Sequence, residues 1–171
     1  AKRLSALPPY VFARLDELKA RAREQGLDLI DLGMGNPDGP TPPPVVEAAQ
    51  QAIADVANHG YPPFEGTASF RQAITDWYAR RYGVQLDPSS EALPLLGSKE
   101  GITHLAMAYI NPGDIVLVPS PAYPAHFRGP AIAGGEIYSL PLSPENNWLI
   151  DFKAIPTDVA DQAKALFFNY P

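Results

Sequence analysis

The segment Leu95-Leu96-Gly97-Ser98-Lys99-Glu100-Gly101 is an apolar run that ends in Gly-Ser-Lys and passes directly into a helical pattern. That order predicts a strand, a tight turn and a helix N-terminus with a cation beside it. The first turn of a helix presents backbone N–H groups that lack intrahelical acceptors, at the positive end of the helix dipole, so it is a ready anion site. Ser98 can cap the helix or donate its hydroxyl, and Lys99 adds charge, so the segment reads as a phosphate cradle. One predicted strand later, Pro119-Ser120-Pro121-Ala122-Tyr123-Pro124 places an aromatic ring in a proline-bounded loop, where a flat group could stack on it. Out of context, Gly97-Ser98-Lys99 is only a capped helix start and Tyr123 only a loop aromatic packed on its domain. Together, a phosphate site followed by a stacking ring points to pyridoxal phosphate.

Other chemistry finds little support. There is no cysteine, which removes disulfides, thiolate catalysis and Cys-ligated metal. His59, His104 and His126 share no ligand spacing and read as structural or solvent-facing residues. Arg80-Arg81 reads as a solvated helix end, and Asp158 and Asp161 as an exposed face. No paired carboxylates and no nucleophile elbow stand out. The net charge of −6 and the absence of a basic cluster argue against nucleic acid or an anionic membrane as partner. No apolar run approaches the roughly 18 residues of a membrane span, and the N-terminal residues lack an apolar targeting core. A cytoplasmic location is the expectation.

The elements that must position these residues follow from periodicity. With 171 residues and 46% apolar content the chain can fill a core. Val11, Leu15, Leu18 and Ala22 predict a helix stopped by Gly26; Leu29 to Leu32 a short strand; and Gly33 to Pro37 a loop. Pro40 to Pro44 preset a second helix, carried by Val45, Ala49, Ile53 and Val56. Thr67 is the expected N-cap of a third, lined by Phe70, Ile74, Trp77 and Arg81 and ended by Gly83. A strand over Leu93–Leu96 precedes a helix over Ser98–Ile110, with Ile102, Leu105, Ala106 and Tyr109 facing inward. Ile115 to Val118 has the continuous apolar character of a strand buried on both faces. A short helix near Ala122 to Ala133, a strand over Glu136–Leu140, a helix over Asp158–Lys164 and a strand-like Ala165–Tyr170 complete the series. The alternation predicts an α/β fold with a mainly parallel sheet covered by helices on both faces. In such sheets ligands bind beyond the carboxyl ends of the strands, where the Gly-Ser-Lys turn and the Tyr123 loop fall. Ending at Pro171, just after a buried-type strand, suggests the N-terminal piece of something longer.

Five stretches in this order resemble the class I and II aminotransferases, which have the type I fold of pyridoxal-phosphate enzymes. They are Leu32-Gly33-Met34-Gly35-Asn36-Pro37; Tyr61-Pro62-Pro63-Phe64-Glu65-Gly66 with Phe70-Arg71 after it; Gly97-Ser98-Lys99-Glu100-Gly101; Pro119-Ser120-Pro121-Ala122-Tyr123-Pro124; and Asn169-Tyr170-Pro171. The Gly-Ser-Lys-Glu-Gly and Pro-Ser-Pro-x-Tyr-Pro forms are most similar to the alanine and LL-diaminopimelate aminotransferase branch. The resemblance implies residues 1–42 as an N-terminal arm with part of a small domain, and 43–171 as the first part of the large cofactor domain. It implies that Gly35 lies against the substrate carboxylate and that Tyr61 hydrogen-bonds cofactor phosphate, in the partner subunit of a homodimer. Ser98 and Lys99 would hold the phosphate of their own subunit, and Tyr123 would stack on the pyridine ring.

The implied reaction moves an amino group between an amino acid and a 2-oxo acid by a ping-pong cycle. No catalytic residue of that family falls in this sequence. Its Asn-Pro-Thr-Gly segment, the Asp that pairs with the pyridine nitrogen, the Schiff-base lysine of Ser-x-x-Lys and the C-terminal Arg are absent, and Asn169 does not take the role of that segment's Asn. The lysines are Lys2, Lys19, Lys99, Lys153 and Lys164, none of them three residues after a serine. The 171 residues alone are therefore expected to be inactive. A carbon–sulfur lyase on the same fold and a non-catalytic cofactor-binding module are the alternatives.

Overall fold

The computed structural model describes residues 5, 7–8, 10–33 and 35–169. Met34, Tyr170, Pro171 and most of the first nine residues lie outside that set, and with them parts of the first and last family stretches. The chain divides into two compact units, Pro9–Pro94 and Leu95–Pro171 with Ala1–Pro8.

Pro9–Pro94 is helical. Helix α1 spans Val11–Glu24, with Gly26 in the left-handed region just after it. Helix α2, Pro43–Ala54, begins with two prolines, whose missing N–H groups cost nothing in a first turn. Val56 falls in a separate 3-10 turn, Val56–His59. Helix α3, Ala68–Tyr82, is capped as expected: the Thr67 hydroxyl accepts the Phe70 N–H, and Gly83 closes the helix at φ +70°. Its covered stripe is not the expected one. Phe70 and Trp77 are exposed, while Thr75 is buried and Arg71 and Ile74 are half-buried. Leu29–Leu32 is not a strand, because among the described residues no strand runs beside it to complete a ladder.

The second unit carries the sheet. Helix α4 spans Ser98–Tyr109, β1 Ile115–Ser120, α5 Pro124–Ala133, β2 Glu136–Pro141, α6 Thr157–Gln162 and β3 Ala163–Leu166. The strands are parallel, in the order β2-β1-β3, with Val116 level with Ile137 on one side and with Ala165 on the other. The central strand β1 alternates between two cores. Val116 and Val118 pack with Ala106 and Ile110 of α4 and with Phe127 and Ala133 of α5. Leu117 faces the other way, against Leu140, Ile150 and half-buried Ile155 and Val159. Burial on both faces explains the unbroken apolar run.

Three expectations are corrected in this unit. Leu93–Leu96 is irregular chain that joins no ladder among the described residues. Ile102 and Ala106 of α4 are covered as expected, but Leu105 and Tyr109 are exposed, and the covered row continues four residues on to Ile110, the C-cap. Helix α6 ends at Gln162, so β3 starts two residues before the expected strand. Helices α4 and α5 meet closely at Gly129, where a Cβ would sit 3.3 Å from the Thr103 Cα and 3.4 Å from the Ala106 Cβ. No helix among the described residues is long and apolar enough to cross a membrane.

Candidate functional site

The predicted cradle is the start of α4. Gly97 occupies the N-cap with φ +86°, a conformation that suits a residue without Cβ. It has no side chain to turn onto the helix N-terminus. Ser98 is therefore the first helical residue rather than the cap, a correction to the capping role but not to its place at the cradle. Glu100 lies in the same turn, where an acid competes with an incoming anion. Its carboxylate is engaged backward, accepting the Leu96 N–H at 2.5 Å, with His104 Nδ1 at 3.6 Å. Lys99 reaches across to the second predicted landmark: its Nζ lies 5.6 Å from the centroid of the Tyr123 ring, within cation–π range.

Tyr123 is placed by the end of β1. The strand stops at Ser120, and Tyr123 becomes the extended N-cap residue of α5, its carbonyl accepting the His126 N–H at 3.0 Å. Its own N–H donates to Asn169 Oδ1 at 3.2 Å. Asn169 stands three residues past β3, so one hydrogen bond ties together the loops leaving the carboxyl ends of β1 and β3. The strand order makes this the switch point of the sheet, because the chain leaves β1 toward β2 on one side and returns to β3 on the other. Crevices at such points are where open α/β sheets bind ligands.

His126 completes the support beneath the ring. It is buried, edge-on to Tyr123 with ring centroids 5.9 Å apart and tilted against Phe167 at 6.3 Å. Its Nδ1 is buried without a hydrogen-bond partner among the described residues, and burial holds the imidazole below its ordinary pKa. The structural reading of this histidine fits its burial. Its contact with Tyr123 was not foreseen, although three residues of separation on a helix start gave a faint signal. The bond from Asn169, 46 residues away, left none.

Gly35 and Tyr61 belong to the other unit. Gly35 is exposed, and a Cβ built there meets nothing within 4 Å. Tyr61 is fully exposed at the head of a tight turn in which the Gly66 N–H donates to the Pro63 carbonyl at 2.9 Å. Gly66 has φ +80°, and a Cβ there would come within 2.5 Å of Pro94 Cγ, so both backbone and space require glycine. No group of His, Asp or Glu among the described residues has the arrangement of a metal site.

The sequence profile of the family described as aminotransferase class I and II matches residues 27–171. The chain belongs to that family. It is 54% identical over 169 residues to an LL-diaminopimelate aminotransferase of Aquifex aeolicus, covering 99% of this chain and 44% of the relative. It is 52% identical over 171 residues to the enzyme of the same name from Moorella thermoacetica, with 100% and 44% covered. Among solved structures it resembles substrate-bound BacF of Bacillus subtilis at TM-score 0.89 and 40% identity, covering 100% of this chain and 43% of that one. An aminotransferase of Staphylococcus aureus superimposes at TM-score 0.85 and 33% identity, covering 100% and 43%. The chain thus spans less than half the length of the relatives it matches.

These aminotransferases depend on pyridoxal phosphate, and the residues present fit that group. An α4 N-terminus without a capping side chain, beside a hydroxyl and an ammonium, suits a phosphate. The partly open Tyr123 ring next to that ammonium suits a flat aromatic ring.

Proposed function

We propose that this chain is the N-terminal part of a pyridoxal-phosphate-dependent aminotransferase that transfers the amino group of LL-diaminopimelate to a 2-oxo acid. The observation that supports the reading is the Lys99–Tyr123 contact, an ammonium at the start of α4 beside an aromatic ring in the loop after β1. The choice of amino donor rests on relatives of that name at 52–54% identity.

In this reading the α4 N–H groups, Ser98 and Lys99 would hold the phosphate, and Tyr123 would cover one face of the aromatic ring and exclude water there. Gly35, with no side chain, leaves room for the substrate carboxylate. Tyr61 donates to the phosphate of a second subunit in a homodimer. Residues 1–42 form an arm and part of a small domain, and 43–171 the beginning of the large domain, in a cytoplasmic enzyme. The bound cofactor supplies the electron sink for the carbon that gains or loses the amino group. The lysine that moves the proton comes from a segment this sequence does not contain.

The test is an amino-transfer assay of the complete chain, with 2-oxoglutarate as acceptor and LL-diaminopimelate, alanine and aspartate offered in turn. Glutamate formed fastest from LL-diaminopimelate is the expected result. Pyruvate and ammonia released from cystathionine, with no transfer from any donor, would replace the transferase by a lyase. Tyr123→Ala should weaken cofactor retention about tenfold, the scale of one lost stacking contact. Unchanged retention removes Tyr123 from the site.

A further inference from the structure

The Phe70-Arg71 pair follows the Tyr61–Gly66 stretch in the sequence, and nothing above gives it a task. The arginine is the unusual member. It lies in the first turns of α3 with only 13% of its side chain exposed. Its Nη1 donates to the carbonyls of Pro88 at 3.0 Å and Ser89 at 3.3 Å, and its Nη2 lies 4.0 Å from Glu65 Oε1. One planar fork therefore serves two loops at once, the turn at 87–91 and the turn that begins at Tyr61.

Each loop is also braced locally. Asp87 accepts the Ser89 N–H and the hydroxyls of Ser89 and Ser90, which fixes the two carbonyls Arg71 uses. In the other loop, Gly66 closes onto the Pro63 carbonyl and packs against Pro94, and Thr67 caps α3. Between Tyr61 and Gly66 the chain is stiffened by two prolines, whose rings fix φ, so it has little slack. A fixed Glu65 and Gly66 leave the Tyr61 backbone few directions to take. Tyr61 itself touches nothing that would hold it, being fully exposed.

We propose that Arg71 is the positioning residue of the Tyr61 loop: by clamping Glu65 to the 87–91 turn it aims the Tyr61 hydroxyl, without itself touching cofactor or substrate. The proposal rests on the reading of Tyr61 as a phosphate donor. Lysine cannot substitute, because a single ammonium on a flexible stem does not span two carbonyls and a carboxylate in a fixed plane.

The test uses the complete chain with Arg71→Lys, Tyr61→Phe and the double variant. Dissociation constants are measured for pyridoxal 5'-phosphate and for pyridoxal, which lacks the phosphate, and exchange of the Gly66 amide is followed by NMR. Tyr61→Phe should weaken pyridoxal 5'-phosphate about tenfold, the scale of one charge-assisted hydrogen bond. Arg71→Lys should weaken it roughly fivefold and speed Gly66 exchange, with pyridoxal affinity unchanged in both. The double variant should be no weaker than Tyr61→Phe alone, since Arg71 acts through Tyr61. Multiplying effects, or equal losses for pyridoxal, would overturn the proposal and leave Arg71 a stability residue. Unaltered Gly66 exchange in Arg71→Lys would overturn the clamp directly. If Tyr61→Phe leaves phosphate-dependent affinity intact, the reading of Tyr61 fails and the aiming role with it, while Gly66 exchange still reports whether Arg71 holds the loop. Glu65→Gln, which keeps the carbonyl bonds, should show a smaller loss in the same direction and guards against misfolding of the lysine variant.

Discussion

The two units place their candidate residues by different physics. In Leu95–Pro171, Lys99 and Tyr123 stand on helix starts whose helices are packed onto β1, a strand covered on both faces. In Pro9–Pro94 the apolar stripes are largely open, with Val45 and Ile53 of α2 exposed, and the loops flanking α3 carry polar contacts: the Arg71 fork, the Asp87 turn and the Thr67 cap. Burial is insensitive to the direction of any one bond, whereas a polar brace depends on one or two groups. Damage should therefore spread in Leu95–Pro171 and stay local in Pro9–Pro94.

The sharpest way to break this contrast is to shorten one apolar side chain in each. Leu117→Ala, in the second core, should cost about 3 kcal/mol through lost burial and a residual cavity. Ile53→Ala, 73% exposed, should cost less than about 0.5 kcal/mol. Denaturant midpoints of the complete chain measure both, and similar losses would show that α2 is covered there and that the contrast is a property of this segment alone. In the polar unit, Gly66→Ala should cost roughly 2 kcal/mol, from positive φ and the clash with Pro94 together. Gly83→Ala, with φ +70° and open space, should cost about 1 kcal/mol. Removing the cap by Thr67→Ala should also cost about 1 kcal/mol, visible as faster amide exchange in the first turn of α3.

The smallest effects are titrations, and they differ by unit. Hydrogen bonds from Ser89 and then Ser90 hold the Asp87 carboxyl below its usual range. That stabilisation is present above the unfolded value near 3.9 and is lost as pH falls through the lower folded value. Asp87→Asn should flatten the acid limb of a stability profile below about pH 4. For His126 the neutral form is favoured by burial, so the unfolded chain takes up its proton first as pH falls. Stability should then decline below about pH 6.5, and His126→Phe should remove that slope. A slope that survives the substitution assigns it to another group.

What the sequence disclosed divides along the same line. Ile115 to Val118, Thr67, Gly83 and the paired prolines of α2 were readable because each signal is local: an unbroken apolar run, a hydroxyl before a helix, a glycine after one. Leu29–Leu32 and Leu93–Leu96 misled because a short apolar run becomes a strand only with a neighbour, which composition does not encode. Ser98 and Lys99 do open a helix and Tyr123 does stand in the loop after β1. The bond that ties the Tyr123 loop to the end of β3 was not legible, since Asn169 and Tyr123 are close only after β3 is laid beside β1. The inward face of α4 was half legible: Ile102 and Ala106 are covered as expected, but Leu105 and Tyr109 are not, because the close crossing at Gly129 lies along the small Ala106.

That crossing has a practical corollary for anyone wishing to move the proposed anion site into another scaffold. At Gly129 the backbones of α4 and α5 approach to a distance that leaves no room for a spacer. The smallest transplantable module is consequently both helices with the strand between them, and a graft of the Gly-Ser-Lys turn alone would arrive without its aim.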